Sequence, residues 1–172
     1  MIVIGIFALS PIKTWASEPK IYGEFKYRYN EEYEGIEILK YKGDAKTVKI
    51  PDSIEGIPVK VIGYWAFHKT NYNSKNKTLK KVVIPESVVV IDESAFKDCV
   101  ALKSVNLPKN LQRMEENAFA HCKSLKTINI PENLEILGDG CFWDAGLVEV
   151  FIPKNIIKID DSAFADCKKL KK

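Results

Sequence analysis

The hydrophobic positions of this chain recur in one short pattern. In LKSVNLP, starting at Leu102, apolar side chains fall at Leu102, Val105 and Leu107, and the last two alternate with Asn106 in the two-residue period of a half-buried strand. Pro108 ends that strand, because it lacks the N–H that a further ladder bond needs. Leu111 and Met114 then stand three apart, followed by Ala118 and Phe119. This spacing predicts a tight turn or short helical piece that returns along the other side, so each unit holds one strand plus one short return.

The same unit is written several times: LKKVVIPESVVVIDESAFKDCVA from Leu79, LKSVNLPKNLQRMEENAFAHCKS from Leu102, LKTINIPENLEILGDGCFWDAG from Leu125 and LVEVFIPKNIIKIDDSAFADCKK from Leu147. Successive units are 23, 23, 22 and 23 residues long, and the proline precedes the phenylalanine by eleven residues in all four (Pro85 and Phe96, Pro108 and Phe119, Pro131 and Phe142, Pro153 and Phe164). An earlier unit opens at Thr47, where Pro51 precedes Phe67 by sixteen residues, followed by the polar stretch HKTNYNSKNKT, and reads as the same coil with two insertions. A repeat of this length predicts stacked supersecondary units, none of which buries its apolar edge alone. The predicted fold is a solenoid of about five 22–23-residue units, near 47–78, 79–101, 102–124, 125–146 and 147–169.

Ahead of the repeats, Phe25, Tyr27 and Tyr29 alternate with Lys26 and Arg28, and a second apolar run follows Gly35 through Ile36, Ile38 and Leu39. Residues 17–46 therefore predict a β-hairpin that caps the open edge of the first coil. No matching cap is visible after Leu170, which leaves the C-terminal coil as a candidate surface for self-association.

Composition changes this picture little. The 46% apolar content suffices for a repeat core, and the net charge of +3 comes largely from the closing KKLKK run, since acidic and basic residues otherwise alternate along the chain. No basic stripe with interleaved aromatics argues for nucleic acid. The opening MIVIGIFALSPIKTWA has an apolar run from Ile2 to Leu9 and a small residue, Ala16, before the polar SEPK. Residues 1–16 read as a signal peptide, and the run is too short to span a membrane.

Cys99, Cys122 and Cys167 share one column three residues after the phenylalanine, whereas Cys141 directly precedes its own. At a strand spacing of ~4.8 Å, Cys99 and Cys122 fall within disulfide reach; the alternative is that each is a small buried apolar filler, as Ala145 in the same column suggests. The column two residues after proline reads Ser53, Ser87, Asn110, Asn133 and Asn155, short polar side chains suited to bonding backbone groups at a corner.

The string I-P-x-S-I-x-G-x-x-V-x-x-I-G-x-x-A-F from Ile50 to Phe67, with the later I-P…A-F-x-x-C units, resembles the BspA-type leucine-rich repeat over Thr47 to Lys172. The resemblance implies a right-handed coil, mainly-β or α/β-type, exported to the cell surface or medium. It implies adhesion or recognition of an extracellular protein or glycan, often a host matrix component, with no catalytic residues and no cofactor.

The residues themselves offer no chemistry to set against this. His68 and His121 have no spacing that suggests shared metal ligands and read as surface histidines. Asp92, Glu115, Asp160 and Asp161 recur by repeat position, as turn chemistry produces, and no phosphate loop or nucleophile elbow appears. Asn76-Lys77-Thr78 is a glycosylation sequon on the inserted loop 68–78. The candidate partner site is the strand face turned away from the core, formed by Thr47, Lys81, Ser104, Thr127 and Glu149 in one column and Lys49, Val83, Asn106, Asn129 and Phe151 in the next. The inserted loop 68–78 ranks second, since loops on rigid scaffolds often carry function.

Overall fold

A computed structural model describes residues 18–69 and 75–171. The predicted signal peptide, residues 1–16, and residues 70–74 of the inserted loop lie outside the described residues. The elements in chain order are β1 (Lys20–Tyr22), β2 (Phe25–Asn30), β3 (Gly35–Tyr41), β4 (Thr47–Lys49), β5 (Ser53–Ile54), β6 (Ile57–Ile62), β7 (Lys81–Val83), β8 (Val90–Ile91), β9 (Ser104–Asn106), β10 (Arg113–Met114), β11 (Ile136–Leu137) and β12 (Lys158–Ile159). The fold is a mainly-β stack of repeated coils. Among the described residues there is no helix, so the return of each coil is built from a two-residue strand and turns rather than from the helical piece that the Leu111–Met114 spacing allowed.

Each coil has three sides. The first carries the predicted strand: β4, β7 and β9 pair in parallel, with Thr47, Lys81 and Ser104 in one register and Lys49, Val83 and Asn106 in another. In the next two coils this side thins to a single bridge between Asn129 and Phe151. On the second side β6, β8 and β10 pair in parallel, as do β11 and β12. The hairpin of β2 and β3 joins this sheet, because β3 pairs antiparallel with β2 and parallel with β6. The longer interval between Pro51 and Phe67 holds the β5–β6 hairpin, whose two-residue turn Glu55-Gly56 has φ of 52° and 79°, the left-handed pair that favours glycine.

The third side is a ladder of turns around the phenylalanine column. Ser94, Phe96 and Asp98 donate their backbone N–H groups to Glu116, Ala118 and Ala120 of the next coil, and Asn117, Phe119 and His121 donate to Asp139, Cys141 and Trp143. Intervening residues bond within their own turn, as Ala95 does to Asp92 and Lys97 to Ser94. This alternation needs a left-handed residue two before the phenylalanine (Trp65, Ser94, Asn117, Gly140, Ser162) and, from the second full coil onward, two after it (Asp98, His121, Asp144, Asp166). Asn, Asp and Gly tolerate that conformation best.

Inside, Phe67, Phe96, Phe119 and Phe142 are fully buried and stacked, with ring centroids 4.7, 5.1 and 5.8 Å apart. Phe164 continues the stack at 5.5 Å, half-buried, and Tyr41 begins it at 5.4 Å from Phe67. All four cysteines are free and buried. Cys99, Cys122 and Cys167 direct their thiols at the carbonyls of Phe67, Phe96 and Phe142 in the preceding coil, so the column packs as small fillers rather than as disulfides.

Candidate functional site

The exposed strand face gathers the predicted partner residues in two parallel rows. Thr47, Lys81, Ser104, Thr127 and Glu149 are exposed, as are Lys49, Asn106, Asn129 and Phe151, while Val83 is half-buried. Alternation places them there: the residue between each pair, Val48, Val82, Val105, Ile128 or Val150, turns into the core. Five of these residues, Lys81, Val83, Ser104, Asn106 and Asn129, line one open groove of about 410 Å³ together with Val82, Val105 and Leu107. Leu107 was not among the expected face residues, although its half-buried place just before Pro108 is readable from the repeat.

Two members of the rows differ from their neighbours. The Asn106 amide is already engaged, accepting from the Ile84 N–H at 3.0 Å and donating to the Ile84 carbonyl at 2.8 Å. It extends the ladder by a side chain, and its replacement disturbs the fold as well as the face. Phe151 is 78% exposed, a large apolar ring outside the core at the end of a polar row.

The corner column behaves as turn chemistry requires. Asn110 donates to the Glu86 carbonyl, Asn133 to Lys109, Asn155 to Leu134, and the Ser87 hydroxyl to Asp52. Each bond satisfies a carbonyl of the coil before it.

The two histidines diverge from the surface reading. His68 is only 3% exposed, with its ring 4.2 Å from Trp65 and its Nε2 3.8 Å from an Asp98 carboxylate oxygen, too far for a hydrogen bond. Burial holds its pKa below the ordinary imidazole value. Nearby, Asn76 is also buried, donates Nδ2 to the Phe67 carbonyl, and accepts through Oδ1 from the N–H groups of Thr78 and Leu79. The sequon asparagine is therefore an internal corner, its amide spent on the backbone. His121 is half-buried and pairs at 3.0 Å with Asp144, whose carboxyl is held below its usual range by Lys123 and His121.

Among the described residues no three His, Cys, Asp or Glu side chains are placed to hold a metal, and no helix is long and apolar enough to cross a membrane. Burial pushes the Cys99, Cys122 and Cys141 thiols well up, which keeps them protonated and unreactive.

Comparison with known proteins matches this geometry. The chain is similar to the leucine rich repeat protein TpLRR of T. pallidum, with 31% identity and a TM-score of 0.80 over 89% of this chain and 69% of that one. It is also similar to a leucine-rich repeat protein from Bacteroides ovatus, with 27% identity and a TM-score of 0.77 over 88% of this chain and 40% of that one. A leucine rich cell surface protein from Faecalibacterium prausnitzii shares the fold at 23% identity and a TM-score of 0.57, over 91% of this chain and 54% of that one. Among curated proteins no sequence match was found. Residues 35–171 match the model of the BspA type leucine rich repeat region in six copies, and the chain belongs to that family.

Proposed function

We propose that the chain is an extracellular recognition and adhesion module that binds a protein or glycan partner through the strand face of β4, β7 and β9 and the two coils beyond. The observation that carries this reading is the groove shared by Lys81, Val83, Ser104, Asn106 and Asn129, set in two rows of exposed side chains on a rigid stack. A face held by parallel ladders loses little freedom on binding, so more of its contact energy reaches the complex. Exposed Phe151 adds an aromatic anchor of the kind that dominates partner contacts. The reading is of binding rather than catalysis. Surface display agrees with the predicted signal peptide and with the similar leucine rich cell surface protein of Faecalibacterium prausnitzii.

The test passes the full chain over an array of extracellular-matrix proteins and glycans beside a Ser104→Tyr/Thr127→Tyr variant, which fills the face with strand-compatible bulk. Binding that the variant loses supports the reading. An empty array, or equal binding by a folded variant, refutes it.

A second reading is self-association through the last coil, where Ile157 is 76% exposed and Ile159, in the core column of Leu137 and Met114, is 48% exposed. Sedimentation of the chain beside Ile157→Lys/Ile159→Lys tests it, and a concentration-dependent oligomer abolished by the variant favours it.

A further inference from the structure

Charges that alternate along the sequence separate in the stack. In the units from Leu79, Leu102 and Leu125 the residue after the leading leucine is Lys80, Lys103 or Lys126, and Lys46 opens the same column. Backbone hydrogen bonds place these residues one above another: Lys80 N–H donates to the Lys46 carbonyl at 2.7 Å, Lys103 N–H to Lys80 at 2.8 Å, and Val148 N–H to Lys126 at 2.8 Å. All four lysines are exposed, and among the described residues no ion pair or side-chain hydrogen bond engages them. Lys81 and Lys49 extend the basic edge onto the strand face, and the row ends where Val148 and Glu149 follow in the next coil.

A column of like charges at the ~4.8 Å coil spacing is unfavourable for the stack itself. The column after proline mixes signs, reading Asp52, Glu86, Lys109, Glu132 and Lys154, and Glu86 accepts from the Lys109 N–H at 2.8 Å. The lysine row has no such mixing and no place in the core, so folding gains nothing from it.

We propose that the edge of Lys46, Lys80, Lys103 and Lys126 binds an anionic polysaccharide, a sulfated or uronic-acid chain lying along the solenoid axis. Extended polyanions carry charge at regular intervals and release counterions to a matching row of ammonium groups. No aromatic side chain interleaves the lysines to stack nucleobases. The site lies beside the strand-face groove and does not rest on the reading given above. A second copy could meet the same row with its acidic column, Glu93, Glu116, Asp139 and Asp161, aligned in the same coil-by-coil way, so self-association is one outcome of the test.

The experiment measures binding of the full chain to heparin, with neutral dextran, single-stranded DNA and phosphatidylglycerol vesicles as comparisons. A Lys80→Ser/Lys103→Ser/Lys126→Ser variant, with its melting curve checked, runs beside Ser104→Tyr/Thr127→Tyr. We expect heparin binding that weakens with salt, absence of binding to dextran, about five-fold loss per lysine and about 100-fold loss in the triple variant, with the tyrosine variant retaining binding. A chain that ignores heparin at low salt, or a folded triple variant that binds equally well, overturns the proposal. Tighter binding to DNA or vesicles than to heparin overturns the polysaccharide assignment. A triple variant that changes the sedimentation of the free chain and leaves heparin binding intact assigns the row to contact between copies instead.

Discussion

The Tyr41 ring stacks on Phe67, with centroids 5.4 Å apart and planes 24° from parallel, so the aromatic column of the repeats begins inside the N-terminal hairpin. Phe25 also packs on Tyr41, with ring centroids 5.3 Å apart, and the Tyr41 N–H donates to the Ala66 carbonyl as a coil residue would. Six aromatic rings, Tyr41, Phe67, Phe96, Phe119, Phe142 and Phe164, thus form one continuous column.

Tyr41→Ala removes one rung and should cost about 3–5 kcal/mol, the range for deleting a buried ring, against the ~5–15 kcal/mol that holds a domain of this size. Tyr41→Phe keeps the stack and loses only the hydroxyl's bonds to Glu24 and the Ala45 N–H, at about 1 kcal/mol. Urea unfolding of both variants separates the ring from its hydroxyl.

The buried thiols set the alkaline limit. Cys99, Cys122 and Cys141 have folded pKa values raised above the ordinary 9.0, so the native state holds their protons where the unfolded chain releases them. Stability is therefore fully present below about pH 9 and falls as pH rises beyond it. Urea midpoints measured upward from pH 8 should decline, and the decline should be shallower in Cys122→Ala, which Ala145 shows the column accommodates. A thiol reagent at pH 8 should label the folded chain only at the rate of unfolding.

His68 sets part of the acid limit with the opposite sign. Its folded pKa lies below the ordinary 6.5, chiefly through burial and secondarily through Lys40, so the unfolded chain gains a proton that the folded chain refuses. Stability should drop as pH falls below about 6.5 and level off below the folded pKa. His68→Phe, of similar shape and without charge, should flatten that portion of a pH–stability curve relative to the natural chain.

Gly140 tests the turn ladder. Its φ is +56°, and an added Cβ would sit 2.8 Å from Asn117 Oδ1. Gly140→Ala should cost about 1–2 kcal/mol for a non-glycine residue in the left-handed region. Ser162→Gly, at φ 59° in the same column, should stabilise by up to about 1 kcal/mol, read from melting curves of the two variants.

The repeat length, the strand, the phenylalanine column and the asparagine corner were legible because each requires a particular side chain at a fixed interval. Tyr41 escaped notice because it is not a phenylalanine and lacks the proline that precedes the other rungs by eleven to sixteen residues. The third ladder is written in backbone conformation, and residues as different as Trp65, Ser94, Asn117 and Gly140 satisfy it. His68 read as exposed because nothing in its neighbours along the chain reveals that Trp65 and the Asp98 of the next coil lie beside its ring. The lysine row was hidden by reading charge along the chain, where Lys80, Lys103 and Lys126 stand apart, rather than down the stack, where they adjoin. The strand-face rows follow from alternation alone, whereas the groove within them depends on how Leu107 and Asn129 of neighbouring coils converge.

The strand face is tested most directly by the affinity of one array-selected partner for three chains: the natural one, Ser104→Tyr/Thr127→Tyr on the face, and Arg113→Tyr/Ile136→Tyr on the exposed second sheet. The account predicts loss of binding in the first variant by 10-fold or more, corresponding to ~1.4 kcal/mol, and unchanged binding in the second. Loss in the second variant alone, or equal affinity in all three folded chains, would contradict it.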